Sequence, residues 1–489
     1  MVIEVNNVYG KIVDNLSIDQ LALIQKECQF KIEGSEYKAM AFRNKNIKWD
    51  GYKKLFNIQT RRFPIGLLSR VVDLLKRYGV NVDIIDKRVH LQDVYNYEYN
   101  TSLPRDYQMQ AIVTSIVNGN GVLKVATGGG KTIIAGCTIG ALKKKSIFIV
   151  HTRDLLYQAK ESFQKIFPNE NIGQIGDGII DYQNITVATM QTLAILGALK
   201  DYEKKCSYDE DNDGNENIIT EEQIKSAQFH KYAITVQCVM MDEVQIVSSK
   251  IAQSVRFLFE NADYAFGYSA SPWRDDGSDL AIESAFGRRI IDISASELIR
   301  RGYLVRPTIE VHNTNYKCTD ISGNYTDIYK RYIVENTERN YQIAQDAICQ
   351  LKSGKNTLIL VTQIKHGKLL ADIIKNNYHE DVQFISGKSN SKARKEAIQD
   401  MRDGKISLLI ASTIADVGLD IPRLECIIEA GAGKSSVTAL QRLGRIMRLF
   451  DGKEECKFIT YRDTAPFICQ HIDKKLDIWR TEEEFIINV

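Results

Sequence analysis

The chain has 489 residues, 44% hydrophobic and 26% charged, and 64 basic against 62 acidic side chains leave a net charge of +2. That composition excludes a chain disordered throughout and allows about three domains. No apolar run reaches the ~20 residues that span a bilayer, and the N-terminus carries Glu4 where a secretion signal needs positive charge. Nine cysteines without paired spacing read as reduced thiols, so a cytoplasmic protein is expected. The near-neutral balance does not exclude nucleic acid, because local patches decide that.

In chain order, residues 1–95 read as a small mixed unit. Apolar spacing predicts a helix over 16–26, with Asp14 or Ser17 as its cap, and a second over 67–78, closed by Gly79. From residue 96 the pattern changes to short apolar strands alternating with helices. Strands are expected at 121–125, 146–150, 185–188, 236–241 and 264–268, then again at 357–361, 382–385, 407–411, 425–429 and 457–460. Alternation of this kind predicts an α/β fold with parallel sheets. It divides the chain into a small α+β N-terminal domain over 1–95 and two α/β units over 96–304 and 305–489. Residues 201–228 are acidic and polar, with almost no apolar periodicity, and read as a flexible insertion. Within it Asp209, Asp211, Asp213 and Gly214 mimic the start of a calcium loop. The closing Glu is missing, since Thr220 stands there.

Two patterns carry chemistry. Residues 121–132 (GVLKVATGGGKT) run from a strand through Thr127, Gly128, Gly129 and Gly130 into Lys131, Thr132 and an apolar helix. Glycines let successive N–H groups curl around a phosphate, and the following helix N-terminus adds its positive end. Lys131 can reach the β- and γ-phosphates, and Thr132 can ligate Mg²⁺. The strict eight-residue pattern has Gly where Val125 stands. A later lookalike, Gly431-Ala-Gly-Lys-Ser, lacks its first glycine, because Ile428 occupies that position. The second pattern is an apolar strand ending in Asp242 and Glu243. One carboxylate suits the water shell of Mg²⁺ and the other can orient an attacking water.

With these two patterns in this order, the chain resembles the superfamily 2 helicases. The resemblance implies two tandem RecA-like parallel-sheet domains with ATP at their cleft. Arg105 and Gln108 match the adenine-reading segment. Thr152 and Arg153, then Thr189, Gln191 and Thr192, match motifs that contact the nucleic-acid backbone. Ser269 and Ser271 match motif III, which couples ATP state to strand movement. His366 matches motif IV, and Thr413, Gly418 and Asp420 match motif V. Gln441, Arg445 and Arg448 match motif VI, whose arginines stand three residues apart on one helix face. Their planar forks suit charge on a transferring phosphoryl group. The resemblance assigns Thr413 and His366 to nucleic acid, Gly418 and Asp420 to ATP, and Arg445 and Arg448 to arginine fingers. One position departs from the family: Gln245 stands where motif II usually has His or Asp. An amide can donate and accept, so coupling by hydrogen bonds remains chemically available.

Residues 31–62 hold nine basic side chains against three acidic ones, with Tyr37, Phe42, Trp49, Tyr52 and Phe56 interleaved. Such a stretch suits a backbone-binding face, and Lys45, Lys48, Lys53 and Lys54 are its candidate contacts. Residues 42–52 and 62–68 resemble the small N-terminal domain of phage UvsW-type helicases. That resemblance implies an ATP- and Mg²⁺-dependent DNA helicase of recombination, repair and replication. Such enzymes migrate junctions, regress forks and unwind D-loops and R-loops, so branched DNA and the RNA of R-loops are the implied partners. Three alternatives stay open: an RNA helicase, since core motifs grip backbone and discriminate DNA poorly; a duplex translocase of a restriction or defence complex; and a non-catalytic binding module.

Overall fold

The structure, a computed structural model, describes residues 1–32, 35, 50–198, 220–245, 250–270, 279–314, 316–320, 322–412, 421–433 and 436–489. Its contacts fall into two units, 1–125 with 130–292, and 126–129 with 293–489. Among the described residues no helix is long and apolar enough to cross a membrane.

The chain begins with two short strands, β1 (Val2–Val5) and β2 (Tyr9–Ile12), in which alternate side chains are buried, as a sheet with one solvated face requires. The helix Ile18–Glu27 follows, capped by Ser17 rather than Asp14: Ser17 accepts from the Gln20 N–H while the Gln20 side chain returns to the Ser17 N–H. Strands β3 (Gln29–Lys31) and β4 (Tyr52–Lys54) form a separate ribbon. Strands β5 (Arg62–Pro64) and β6 (Asp83–Asp86) complete a sheet of order β5-β2-β1-β6. The helix Leu68–Arg77 turns Val71, Leu74 and Leu75 inward, and Gly79 closes it at φ +72.

This small sheet does not stand alone. Leu280, from the helix Asp279–Phe286, completes its apolar core. Gly66 packs so closely on that helix that a Cβ would lie 2.1 Å from the Glu283 carbonyl. Arg70 bridges Glu283 at 2.6 Å and Glu27 at 3.0 Å. The segment expected as a domain of its own is therefore built into the first unit.

The first large sheet contains β7 (Asn120–Val125), β8 (Ser146–Val150), β9 (Ile172–Gly176), β10 (Ile179–Asp181), β11 (Ile185–Thr189), β12 (Cys238–Asp242), β13 (Tyr264–Ser269) and β14 (Arg289–Ile293). Its order is β10-β9-β11-β8-β12-β13-β7-β14. Strands β9, β11, β8, β12, β13 and β7 run parallel, while β10 folds back antiparallel on β9. The central strands are buried along their length because helices cover both faces. Residues 221–233 form a helix whose cap, Thr220, accepts from Gln223. It buries Phe229, Tyr232 and Ala233, so positions 221–228 are helical, not part of an irregular insertion. Residues 201–219, with the calcium lookalike, lie outside the described residues.

The second unit holds a fully parallel sheet of β15 (Pro307–Asn313), β16 (Thr357–Val361), β17 (Gln383–Ile385), β18 (Leu408–Ser412), β19 (Cys426–Glu429), β20 (Cys456–Arg462) and β21 (Ile486–Asn488). Its order is β17-β18-β16-β19-β20-β15-β21. The chain is thus α/β with two RecA-like parallel sheets and a small α+β segment in front. A buried ion pair ties helix to sheet in the second unit. Arg339 reaches both oxygens of Asp463 at 2.7 and 3.1 Å and the Ala430 carbonyl at 2.8 Å, with Arg339 and Asp463 side chains each 1% exposed. Removing one partner strands the other charge in a low-dielectric core. Arg339→Met is therefore expected to destabilise this unit by about 3–5 kcal/mol, read as an earlier transition in denaturant unfolding.

Candidate active site

Parallel sheets present their functional loops at the carboxyl ends of their strands, and the glycine-rich loop lies there, after β7. Gly128 and Gly130 adopt φ +86 and +75, the left-handed region that a Cβ disfavours. Gly130 is the N-cap of the helix Lys131–Leu142 and supplies no side-chain cap. The first N–H groups of that helix therefore meet no capping side chain from residue 130, which suits an anion. A Cβ at Gly130 would also lie 2.3 Å from Gln108 Nε2, so the Gln108 side chain would have to shift. Gln108 itself is 2% exposed. Its Oε1 accepts from the Arg105 N–H at 2.9 Å and its Nε2 donates to the Tyr107 hydroxyl at 3.3 Å. Arg105 is exposed, and Thr127 and Thr132 are half-buried; the Thr127 hydroxyl has no partner among the described residues.

Strand order puts β13 between β7 and β12, and Lys131 reaches across that gap. Its ammonium lies 2.8 Å from Glu243 Oε1 and 3.8 Å from Asp242 Oδ1. The other Glu243 oxygen accepts from Gln245 Nε2 at 2.6 Å. The Gln245 carbonyl in turn accepts from the Ser269 hydroxyl at the end of β13. A continuous polar chain thus runs from the phosphate loop through both acids' strand to the position matching motif III. Gln245 uses both the donor and the acceptor of its amide in it.

The electrostatics follow from burial. Asp242 is pushed up to about 6 by burial and by the adjacent Glu243, against the pull of Lys131. Glu243 is also buried, but Lys131 and Gln245 outweigh that penalty and hold its carboxyl below the usual range. Glu243 takes φ +52, a left-handed backbone that costs a non-glycine residue of order 1–3 kcal/mol. Its N–H bonds Asp242 Oδ1 at 3.0 Å, which fixes the turn. Asp242 and Thr132 supply hard oxygen donors of the kind Mg²⁺ takes. Among the described residues no cluster of three or more His, Cys, Asp or Glu side chains forms a metal cage. A cation here would complete its shell with water and phosphate oxygens, as Mg²⁺ ordinarily does.

The residues expected at nucleic acid are distributed unevenly. Thr152 caps the helix Arg153–Ile166 and accepts from Leu155. Arg153 is exposed and pairs with Asp177 at 2.8 Å. Thr189 bonds Thr192 at 2.8 Å, and the exposed Gln191 donates to the His151 carbonyl at 2.8 Å. All of these lie at the same carboxyl edge as Asp242. On the ribbon, Lys54 pairs with Asp50 at 2.7 Å and Lys53 stands over the Phe30 ring. Lys45, Lys48, Ser271, Thr413, Gly418 and Asp420 lie outside the described residues.

His366 is a correction. Its side chain is 0% exposed and bonds Asn340 at 2.9 Å. Burial and the neighbouring Arg339 push its imidazole down to about 3, so it is a neutral core residue and cannot touch a nucleic-acid backbone. The periodicity of the helix Ile364–Tyr378 could have signalled this, since His366 shares its inner face with Leu370 and Ile374.

In the second unit, Gln441, Arg445 and Arg448 are half-buried on or just beyond the helix Ser436–Ile446. Burial lowers the Arg448 guanidinium from its ordinary value. The arginine between them, Arg442, turns inward to Glu429 at 2.5 Å, and Lys475 meets the same carboxylate at 2.5 Å. That anchor was not legible, because Lys475 is distant in sequence. At the second glycine-rich stretch, the Gly431 and Gly433 N–H groups donate to the carbonyls of Leu360 and Gly431.

Both α/β units match known protein families. Residues 101–272 match the family described as type III restriction enzyme, res subunit, and residues 339–450 match the helicase conserved C-terminal domain. The chain is 25% identical to putative helicase 22 of Sulfolobus islandicus filamentous virus (isolate Iceland/Hveragerdi), over 96% of this chain and 82% of that protein. It is 23% identical to the ATP-dependent DNA helicase uvsW of Enterobacteria phage T4, over 83% of this chain and 80% of that one. A fragment of a putative HsdR subunit of a type I restriction enzyme from Vibrio vulnificus YJ016 shares the fold, with a TM-score of 0.56 at 16% identity over 94% of this chain and 82% of the other. The chain is a superfamily 2 helicase, an ATP-hydrolysing enzyme that binds nucleic acid. Within that superfamily it resembles the phage UvsW-type helicases.

Two outcomes follow. Asp242 holds its proton more tightly folded than unfolded, so the wild type loses stability as pH rises from about 4 to about 6. Asp242→Asn removes that titration. The variant should gain roughly 1–3 kcal/mol over wild type across this window and keep the gain above it, checked by thermal unfolding between pH 4 and 8. Gln245→Leu leaves the Ser269 hydroxyl and one Glu243 oxygen without this partner. A loss of about 1–3 kcal/mol in this link predicts roughly 10–100-fold slower ATP turnover, measured by phosphate release.

Proposed function

We propose that this protein is an ATP-driven DNA translocase that acts on branched DNA, migrating junctions, regressing forks and unwinding D-loops and R-loops. The observation that carries the reading is the alignment with the phage T4 DNA helicase over 83% of the chain, together with a small sheet built into the first unit rather than tethered to it. Its ribbon presents Lys53 and Lys54 beside Phe30 and Tyr52, and a basic, aromatic surface suits a duplex backbone.

In this reading Lys131 and the N–H groups of Gly128, Gly129 and Gly130 hold the triphosphate, and Arg105 and Gln108 take the adenine. Thr132 and Asp242 hold Mg²⁺, which supplies charge neutralisation at the phosphates when bound. Glu243 orients the attacking water, freed from Lys131 as that ammonium turns to phosphate. Arg445 and Arg448 neutralise charge on the transferring group, and the family resemblance assigns Gln441 to catalysis and Gly418 and Asp420 to ATP. Ser269, Ser271 and Gln245 carry the coupling. Thr152, Arg153, Thr189, Gln191, Thr192 and Thr413 grip the strand, with Lys45, Lys48, Lys53 and Lys54 on the flanking duplex. As organisation, we propose a small basic segment over 1–95 and helicase units over 96–304 and 305–489.

Lys131→Ala should lower ATP turnover by about 10²–10³-fold or more while DNA binding persists, measured by phosphate release and fluorescence anisotropy. Wild-type ATPase and strand displacement on matched forks, Holliday junctions, D-loops, R-loops, linear duplex and structured RNA test the substrate. Strongest stimulation by branched DNA is expected. The match to the restriction-enzyme family favours a second reading, a duplex translocase. Equal stimulation by linear duplex would establish it, and equal stimulation by RNA would make the protein an RNA helicase.

A further inference from the structure

His151 is a half-buried side chain beside the two acids. His151 directly follows β8, which lies between β11 and β12. Register pairs Val150 with Thr189 on one side and Ile149 with Met241 on the other. One residue beyond Val150 and two beyond Ile149, His151 is therefore level with Met190 and with Glu243. These residues and Asp242 line a common small cavity, which leaves about 10 Å³ for the centre of a water molecule, close to what one water needs. His151 Nδ1 is buried and has no hydrogen-bond partner among the described residues. A buried ring nitrogen without a partner costs of order 1–3 kcal/mol, and a water shared with a carboxylate removes that cost.

The other end of the same residue leads outward. The His151 carbonyl accepts from the exposed Gln191 side chain at 2.8 Å. The next residue, Thr152, caps the helix that begins at Arg153. His151 thus joins the strand-end groups assigned to nucleic acid with the cavity wall formed by the acids. Burial lowers the imidazole from its ordinary value, Glu243 opposes that and Lys131 adds to it; the neutral ring keeps one donor and one acceptor.

We propose that His151 is a positioning residue that binds one water against the Asp242 and Glu243 carboxylates, and so transmits strand engagement at Gln191 and Thr152 to Glu243. No proton or electron is transferred in this role. A strand that pulls on Gln191 or on the Thr152 cap shifts the His151 backbone, and the shared water passes that shift to the carboxylate. This inference rests on the ATPase reading and on Glu243 as the water-orienting acid.

The test uses the full chain. His151→Leu removes the ring nitrogens, and His151→Asn keeps a short polar group able to hold the water. His151→Leu should lower the DNA-stimulated kcat about tenfold, with the KM for ATP and the Kd for single-stranded DNA within about twofold. His151→Asn should recover most of that loss. Full stimulation in the leucine variant, or an equal loss in both variants, overturns the proposal. Because either variant can fail to fold, a second measurement uses the wild-type ring. Nitrogen-15 NMR of the seven histidines, with His151 assigned by its loss in His151→Asn or by proximity to a spin label, should show Nδ1 shifting on Glu243→Gln and on addition of single-stranded DNA. A resonance indifferent to both overturns it. Absence of wild-type ATP turnover would instead count against the ATPase reading, while the response to Glu243→Gln would still report the contact.

Discussion

The ammonium of Lys131 sits in a largely buried space with two carboxylates and bonds one of them at 2.8 Å. Each charge alone would be expensive there, and together they are tolerable. Much of the first unit is arranged around this balance. The loop glycines bring the helix bearing Lys131 over the sheet edge, and strand order sets Asp242 across one intervening strand from the loop. Glu243 accepts a strained backbone so that its carboxylate faces the lysine and the Gln245 amide. The arrangement is poised, because a triphosphate competes for the same ammonium. Binding substrate at the loop would change the charge seen by Glu243, and through Gln245 the environment of Ser269.

The substitution at motif II shows how function can survive an unusual residue. An amide in place of His or Asp carries no charge into a site that already holds three. It donates to the acid and accepts from the hydroxyl, so the link is made without a further ion to desolvate. The direction of the link is also set: Glu243 needs a donor and Ser269 has one to give, and only a group with both roles closes the gap.

Much of this was legible in the sequence because it depends on local pattern. Strands buried on both faces read as short apolar runs, and ten were placed within about two residues. The loop glycines and the acidic pair announce themselves by chemistry at fixed spacing. What was not legible depends on long-range packing. Strands β9, β10, β14 and β21 lie at or near sheet edges, and their short segments carry weak apolar signals. The helix Glu221–Ala233 was hidden by an acidic first turn, although Thr220 and Gln223 form a readable capping box. His366 was assigned by motif position, whereas its burial follows from the inner face of its helix. The Glu429–Arg442–Lys475 cluster joins residues from three elements that no spacing rule connects.

Leu280, Gly66 and the Arg70–Glu283 pair give the small sheet a particular mechanical character. A core cut free of residues 1–86 would expose Leu280 to water and leave the Glu283 carboxylate, now 13% exposed, without Arg70 and with only the longer 3.8 Å contact to Arg288. The two pieces are therefore not modules joined by a flexible tether. They behave as a handle fixed to its blade: a displacement of the small sheet at Gly66 or Arg70 presses on the helix Asp279–Phe286, and so on the unit that bears Lys131.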